Sequence, residues 1–129
     1  MTMVKPMKIL AVDDEKDMKA LFEQRFRKEI KTGVVEFAFA SSGEEALTYL
    51  EANNHEAVLI LSDINMPGMS GLELLQHIKK RFCSPPPVVM MVTAYGDAEN
   101  YNNAIRLGAD DFLTKPIDFT LLKQKLKLN

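Results

Sequence analysis

The sequence contains only one cysteine, Cys83, among its 129 residues. An internal disulfide is therefore excluded, and we expect a protein of a reducing, cytoplasmic compartment. Long apolar runs are also missing. The first apolar stretch, residues 7–12, is too short for the hydrophobic part of a signal peptide and is followed by two aspartates. No stretch approaches the length of a membrane span, so we expect no contact with a membrane.

A large net charge of either sign is missing as well. The 16 basic and 18 acidic residues give a formal charge of -2 at pH 7. This balance gives no indication of a direct nucleic-acid partner or an anionic membrane surface. The chain has no internal repeat, low-complexity segment or linker, and its length suits one hydrophobic core. We therefore expect a single domain over residues 1–129.

Apolar runs of strand length alternate with segments of helical period. Strands are predicted at residues 8–12, 35–39, 57–62, 88–92 and 111–113. Helices are predicted at residues 18–26, after capping boxes that begin at Ser42 and Ser70, from Asp97 to Leu107, and from Asp118. The sequence therefore predicts five strands that alternate with five helices.

This alternation predicts an α/β fold with one doubly wound, five-stranded parallel sheet and five helices. The strands at 57–62 and 88–92 carry continuous apolar runs, the first of them ending at Ser62, which indicates central positions, whereas the strand at 35–39 alternates and suits an edge. We expect the flavodoxin-like strand order 2-1-3-4-5. In this order, a binding crevice lies beyond the carboxyl ends of strands one and three.

Polar side chains occur where four of the predicted strands end: Asp13 and Asp14, Asp63, Thr93 and Lys115. Three carboxylates in one crevice repel one another, by roughly 4 kcal/mol for each pair at about 4 Å and an effective dielectric near 20. The cluster therefore needs a cation. Carboxylate and carbonyl oxygens with room for water describe a site for magnesium.

The same residues suit the chemistry of a phosphoryl group. A metal ion, the ammonium of Lys115 and the hydroxyl of Thr93 would together stabilise a phosphoryl group on a central carboxylate. Asp63 ends a central strand, and aspartate is an established nucleophile for this transfer. The pattern therefore favours an aspartate that is phosphorylated.

Each of these residues also has a purely structural interpretation. Asp13 or Asp14 could cap the first helix, and Asp63 could belong to the turn that follows it. Thr93 fits a strand by propensity, and Lys115 could be a solvated charge. These interpretations do not explain why the acids end strands one and three while the lysine ends strand five.

Four segments carry a resemblance to a known family: residues 12–15 (Val-Asp-Asp-Glu), 63–71 (Asp-Ile-Asn-Met-Pro-Gly-Met-Ser-Gly), 92–94 (Val-Thr-Ala) and 115–116 (Lys-Pro). These segments match the family in order and approximate spacing. Through them the chain resembles a response regulator receiver domain of two-component signal transduction, in the CheY-like superfamily. The resemblance covers nearly the full length. It implies a receiver domain without an output domain in this chain.

The resemblance implies a regulatory domain of a phosphorelay rather than an enzyme. Asp63 would accept a phosphoryl group from a sensor histidine kinase or a histidine phosphotransfer protein, with Mg2+ as cofactor and slow self-dephosphorylation. The implied metal ligands are the side chains of Asp14 and Asp63, the backbone carbonyl of Asn65, and Asp13 through a bound water. Lys115 would pair with the phosphoryl oxygens.

The resemblance also implies how phosphorylation is read. Thr93 would move to bond the phosphoryl group, and Phe112 would act as a switch aromatic that turns inward. The readout surface would comprise the fourth helix, the fifth strand and the fifth helix, and would contact a downstream output domain or protein, or a second copy in a dimer. Asn65 and Tyr95 would tune the phosphoryl lifetime. The Lys115–Pro116 peptide is expected to be cis.

Other functions fit the residues less well. A flavodoxin needs a phosphate-binding loop after its first strand, where this chain has acids that would repel phosphate. A phosphatase of the haloacid dehalogenase kind needs an acid two residues after its nucleophile, where this chain has Asn65. The remaining alternative is a receiver-like scaffold that binds partners without phosphorylation. The complete set of acids, threonine and lysine argues against it.

Overall fold

A computed structural model describes residues 6–53, 59–82, 87–94 and 96–128. The five strands found there are β1 (Met7–Val12), β2 (Val35–Ala40), β3 (Leu59–Asp63), β4 (Val88–Ala94) and β5 (Asp111–Lys115). The helices of the same ranges are α1 (Met18–Arg25), α2 (Arg27–Lys31), α3 (Gly43–Ala52), α4 (Gly71–Arg81), α5 (Ala98–Arg106) and α6 (Phe119–Lys125). Residues 57 and 58 of the predicted third strand lie outside the described residues.

The strands form one sheet in the order β2-β1-β3-β4-β5, and every neighbouring pair is parallel. This confirms the predicted fold and order. All five residues of β3 are buried, as expected for a central strand. β2 lies at an edge and pairs only with β1 among the described strands. At this edge the side chain of Glu36 is 58% exposed and lies 3.9 Å from the ammonium of Lys8.

The number of helices differs from the prediction, because the described residues form six helices where five were expected. The predicted first helix is divided at Phe26, whose φ of -105° and ψ of 19° are not helical. Phe26 is nevertheless fully buried, in the inward position that a continuous helix would also give it. The apolar spacing in the sequence therefore could not reveal the break.

Side chains define where several helices begin. At α4, the Ser70 hydroxyl accepts from the Glu73 N–H at 3.2 Å and the Glu73 carboxylate accepts from the Ser70 N–H, which confirms the predicted capping box. At α3, Ser42 accepts from the Glu45 N–H, but the Glu45 carboxylate accepts a hydrogen bond from the hydroxyl of Ser41. Only half of the capping box predicted at Ser42 is therefore formed.

Helices cover both faces of the sheet with apolar side chains. On one face, α3, α4 and α5 contribute residues such as Leu50, Ile78 and Ala104. On the other face, α1 and α6 contribute Phe22 and Leu122. Two packed layers hold the strands rigidly, so the carboxyl ends of the strands provide a fixed platform. Within the described ranges, no helix combines the length and apolar character needed to cross a membrane.

Candidate functional site

The site lies at the carboxyl ends of the parallel strands. Asp63 is the last residue of β3 and lies opposite Val92 of β4, while Lys115 is the last residue of β5. Asp13 directly follows β1, and its N–H donates to the carbonyl of Ala40 at 3.1 Å. The sheet therefore brings together residues that are far apart in the sequence.

Three acids and one lysine form the centre of the site. Carboxylate oxygens of Asp13, Asp14 and Asp63 lie within 4.8 Å of one another. The Lys115 ammonium donates to Asp63 Oδ2 at 2.7 Å and lies 3.9 Å from Asp13 Oδ2. The side chains of Asp63 and Asp13 are only 5% and 7% exposed, whereas Asp14 is exposed to solvent. The cluster is therefore a partly buried group of like charges with one nearby countercharge.

Burial raises the pKa of Asp13 above its ordinary value of 3.8, because desolvation disfavours the charged form. A hydrogen bond from the Glu15 N–H, at 2.9 Å, acts in the opposite direction. The neighbouring charge of Asp63 raises the pKa further, while that of Lys115 lowers it. Ionised Asp13 therefore destabilises the folded state when no cation is bound.

The pKa of Lys115 is raised above its ordinary value of 10.5 by its acidic neighbours. Burial alone would lower it, but the hydrogen bond to Asp63 and the charges of Asp63, Asp13 and Glu15 together outweigh burial. The stabilisation from this pairing is fully present below pH 10.5 and is lost as the pH rises through the folded-state pKa. Lys115 is therefore charged at neutral pH.

Asp13→Asn is expected to stabilise the metal-free protein at neutral pH by roughly 1 kcal/mol, because relief of carboxylate repulsion exceeds the lost attraction to Lys115. In the wild type, protonation of Asp13 should increase the free energy of unfolding as the pH falls from the raised folded-state pKa to 3.8, the ordinary pKa of an aspartate. Asp13→Asn should lack this increase, because its side chain does not titrate. Urea unfolding in EDTA across this pH range measures both effects.

The control is Asp17→Asn, since Asp17 is exposed and its side chain makes no capping hydrogen bond to α1. This variant should leave the unfolding free energy and its pH dependence unchanged. A lower stability of Asp13→Asn at neutral pH would contradict the account of repulsion at the cluster.

The donor atoms of the cluster suit a hard divalent cation. Carboxylate oxygens are the ligands that such ions prefer, and the exposed Asp14 leaves room for water molecules to complete the coordination. Asn65, two residues after Asp63, is exposed at the same end of the sheet. The cluster can therefore hold a metal ion that offsets the repulsion between its carboxylates.

The hydroxyl of Thr93 lies buried in β4 without a hydrogen-bond partner among the described residues. Buried hydroxyls are normally paired, because an unpaired one loses its bonds to water without compensation. An unpaired hydroxyl beside the acid cluster suggests that its partner is a ligand atom. Thr93 is thus available as a donor to an anion at this end of the sheet.

Phe112 lies in β5, half-buried. Its ring packs against Tyr101 of α5, with 4.4 Å between the ring centroids and 46° between the planes. Tyr101 is 42% exposed, so this pair lies at the surface. The contact connects the predicted switch aromatic to α5. Tyr95, predicted to tune a lifetime, lies outside the described residues.

A groove of about 740 Å³ lies beside Lys115, between α1 and the connection from β5 to α6. It is lined by both apolar and charged side chains, among them Glu15, Met18, Arg25 and Phe119. The Lys115–Pro116 peptide bond in its wall is cis, as the resemblance to the receiver family implied. The groove therefore adjoins the acid cluster through Lys115, which donates to Asp63.

Some contributors to the site had little or no signal in the sequence. Glu15 acts by its charge on both Asp13 and Lys115, and the only signal was that it follows the acid pair. Ser62, a buried residue of β3, donates its hydroxyl to the carbonyl oxygen of Asp63 at 3.0 Å. Its signal was a polar residue at the end of an apolar run. The contact of Tyr101 with Phe112 had no signal, because the two residues lie on different elements.

Comparison with known proteins places this geometry in a family. The family model described as response regulator receiver domain matches residues 9–127. The response regulator RppA of Synechocystis is 36% identical over 126 residues, which cover 94% of this chain and 49% of RppA. The chemotaxis protein CheY1 of Helicobacter pylori is 35% identical over 95% of both chains. The chain thus spans about half the length of RppA and nearly all of CheY1.

A solved structure gives the same result. The response regulator receiver domain protein from Clostridium thermocellum superimposes with a TM-score of 0.80 at 29% identity, over 93% of this chain and 90% of that one. The chain therefore belongs to the response regulator receiver domain family.

Proposed function

We propose that the protein is a phosphorylation-activated switch of a two-component phosphorelay, with Asp63 as the phosphoacceptor. The observation that carries this proposal is the buried carboxylate of Asp63 inside a cluster of three acids. It accepts a hydrogen bond from the ammonium of Lys115, with 2.7 Å between Nζ and Oδ2. A scaffold without phosphorylation would gain nothing from this arrangement, because buried like charges destabilise a fold. Within this proposal, residues 1–129 act as one receiver domain and regulate without being an enzyme.

The transfer begins at a phosphohistidine of a sensor histidine kinase or a histidine phosphotransfer protein. A carboxylate oxygen of Asp63 attacks phosphorus in line, so a P–O bond forms as the P–N bond to histidine breaks. The electron pair of the broken bond returns to the imidazole. Asp63 is fixed at the end of a central strand, so its attack needs little reorganisation.

Lys115 and Thr93 act on the charge of the product. The Lys115 ammonium now bonded to Asp63 would turn to the phosphoryl oxygens, which carry more negative charge. The buried Thr93 hydroxyl would donate to one of these oxygens and so gain the partner that it lacks among the residues described. Both contacts favour the phosphorylated state over the free state.

We propose Mg2+ as the metal, because the donor atoms at the cluster are oxygens. Asp14 and Asp63 would hold it by their side chains, Asn65 by its backbone carbonyl, and Asp13 through a bound water. When bound, Mg2+ neutralises negative charge on the phosphoryl oxygens during transfer.

The output follows from the movement of Thr93. Its displacement toward the phosphoryl group would open space beside β4, and Phe112 would turn inward away from Tyr101. The contact between Phe112 and Tyr101 would then be lost, and α5, β5 and α6 would adopt a different arrangement. Phosphorylation would shift a pre-existing equilibrium between these arrangements, and an output domain, a downstream protein or a second copy would bind one of them.

The cellular location and the lifetime of the phosphorylated state belong to the same proposal. We propose a cytoplasmic location, because a kinase that draws on ATP would act there, and the single cysteine is consistent with it. Asn65 and Tyr95 would limit access of water to the acyl phosphate and so set its lifetime. No direct contact with nucleic acid or membrane is part of this function.

The test uses acetyl phosphate as a small phosphodonor. We expect the intact mass of the wild-type protein to increase by one phosphoryl group with Mg2+, and no increase in EDTA. The adduct should be removed by hydroxylamine, which cleaves acyl phosphates. If Mg2+ binds but neither acetyl phosphate nor a panel of phosphorylated kinases gives an adduct, the scaffold alternative is correct.

A further inference from the structure

Gly71 contacts the backbone of the acceptor segment more closely than any side-chain-bearing residue could. It is the first residue of α4, is buried, and donates its N–H to the carbonyl of Ile64 at 2.7 Å. Ile64 in turn donates its own N–H to the carbonyl of Val92 in β4 at 3.1 Å. The residue that follows Asp63 is therefore fixed from both sides, by β4 and by α4.

A Cβ atom at position 71 would overlap this backbone. It would lie 2.7 Å from Ile64 Cα and 2.8 Å from the carbonyl carbon of Asp63, and it would collide with the carbonyl oxygen of Asp63. These are backbone atoms of a central strand and its end, so they cannot move aside as a flexible side chain can. The requirement for glycine is one of space, since Gly71 is not among the described glycines with a positive φ.

The hydrogen bond from Gly71 determines the direction of two groups in the cluster. By holding the Ile64 carbonyl, it fixes the plane of the peptide that joins Ile64 to Asn65. The adjacent carbonyl of Asn65 and the side chain of Asp63 lie on either side of this fixed residue. We propose that Gly71 is a positioning residue that orients the Asp63 carboxylate and the Asn65 carbonyl toward a divalent cation.

This inference rests on the proposed magnesium-dependent function but assigns a separate requirement to α4. Because the packing of α4 directs the ligands, Gly71→Ala should weaken Mg2+ binding even where the protein remains folded. Groups that orient metal ligands typically change metal affinity by about 10- to 100-fold when altered. We expect a loss in that range for Gly71→Ala.

Gly43 provides a matched control. It is also buried and also the first residue of its helix, α3. The three atoms nearest to a Cβ there would all belong to the side chain of Met69: Sδ at 2.8 Å, Cγ at 3.0 Å and Cβ at 3.1 Å. This side chain is flexible and can shift. Gly43→Ala therefore makes the same change at the same helix position without displacing the backbone next to Asp63.

Isothermal titration with Mg2+ compares the wild type, Gly71→Ala and Gly43→Ala, because the chain has no tryptophan to report binding by fluorescence. Far-UV circular dichroism checks that each variant is folded. If Gly71→Ala is not folded in buffer, the three titrations are made in trimethylamine N-oxide, which favours folded states. The expected result is a selective loss of affinity in Gly71→Ala, with Gly43→Ala equal to the wild type.

Equal affinities in all three proteins, or equal losses in both variants, would overturn the positioning role of Gly71. Absence of Mg2+ binding in the wild type would instead contradict the proposed function itself. The two failures are therefore distinguishable in one set of titrations.

Discussion

Asp63→Asn is expected to abolish the hydroxylamine-sensitive, Mg2+-dependent adduct while the protein remains folded. The amide has the size of the carboxylate but is not a nucleophile toward phosphorus. It also removes one negative charge from a cluster of three, so the loss of the Lys115 ion pair is offset by weaker repulsion. Intact-mass measurement after incubation with acetyl phosphate and Mg2+ gives the result directly.

The matched control is Asp111→Asn. Asp111 is the first residue of β5, at the opposite end of the strand from Lys115, and its side chain pairs with Lys125 at 2.9 Å near the surface. This ion pair contributes little, so the control should fold normally and form the adduct at the wild-type level. A wild-type level of hydroxylamine-sensitive adduct in Asp63→Asn would mean that the acceptor is another carboxylate, and peptide mapping would identify it.

Phe22→Ala is expected to lower the free energy of unfolding by about 3–5 kcal/mol. Phe22 is 1% exposed, and its ring lies within 6.4 Å, between centroids, of four other phenylalanine rings: Phe26, Phe37, Phe39 and Phe119. Alanine would leave a cavity between α1, β2 and α6. Domains are stable by only about 5–15 kcal/mol in total, so the loss would be severe. Urea unfolding followed by far-UV circular dichroism measures it.

Leu121→Ala is the control for this prediction. Leu121 is on α6 but is 41% exposed, so its truncation should change the unfolding free energy by no more than about 0.5 kcal/mol. A small loss in Phe22→Ala, comparable to that of Leu121→Ala, would show that the neighbouring rings collapse into the space left by Phe22.

Much of the fold and the centre of the site could be predicted because both follow from the chain's periodicity. Alternating strands and helices predict parallel strands, and parallel strands end at the same edge of a sheet. Asp63 and Lys115 are 52 residues apart in sequence, yet each ends a strand, which was enough to predict that they meet. The burial of β3 followed from the apolar run with which it begins, residues 59–61.

What could not be predicted depends on small energy differences between local alternatives. Glu45 could bond the N–H of Ser42 or the hydroxyl of Ser41, and these choices differ by less than propensity rules resolve. The break at Phe26 leaves the apolar spacing unchanged. The packing of Tyr101 on Phe112 depends on the angle at which α5 crosses β5, which no pattern in either segment encodes.

The position of β2 at the edge of the sheet affects how the protein behaves at high concentration. An edge strand offers unpaired backbone groups to which a strand from another molecule can add, and such addition leads to aggregation. Glu36 is the second residue of β2, and its side chain is largely exposed. If two β2 edges met in an antiparallel arrangement centred there, their Glu36 side chains would face each other, and like charges directly opposite disfavour pairing. One glutamate thus helps to keep the sheet from growing beyond a single molecule.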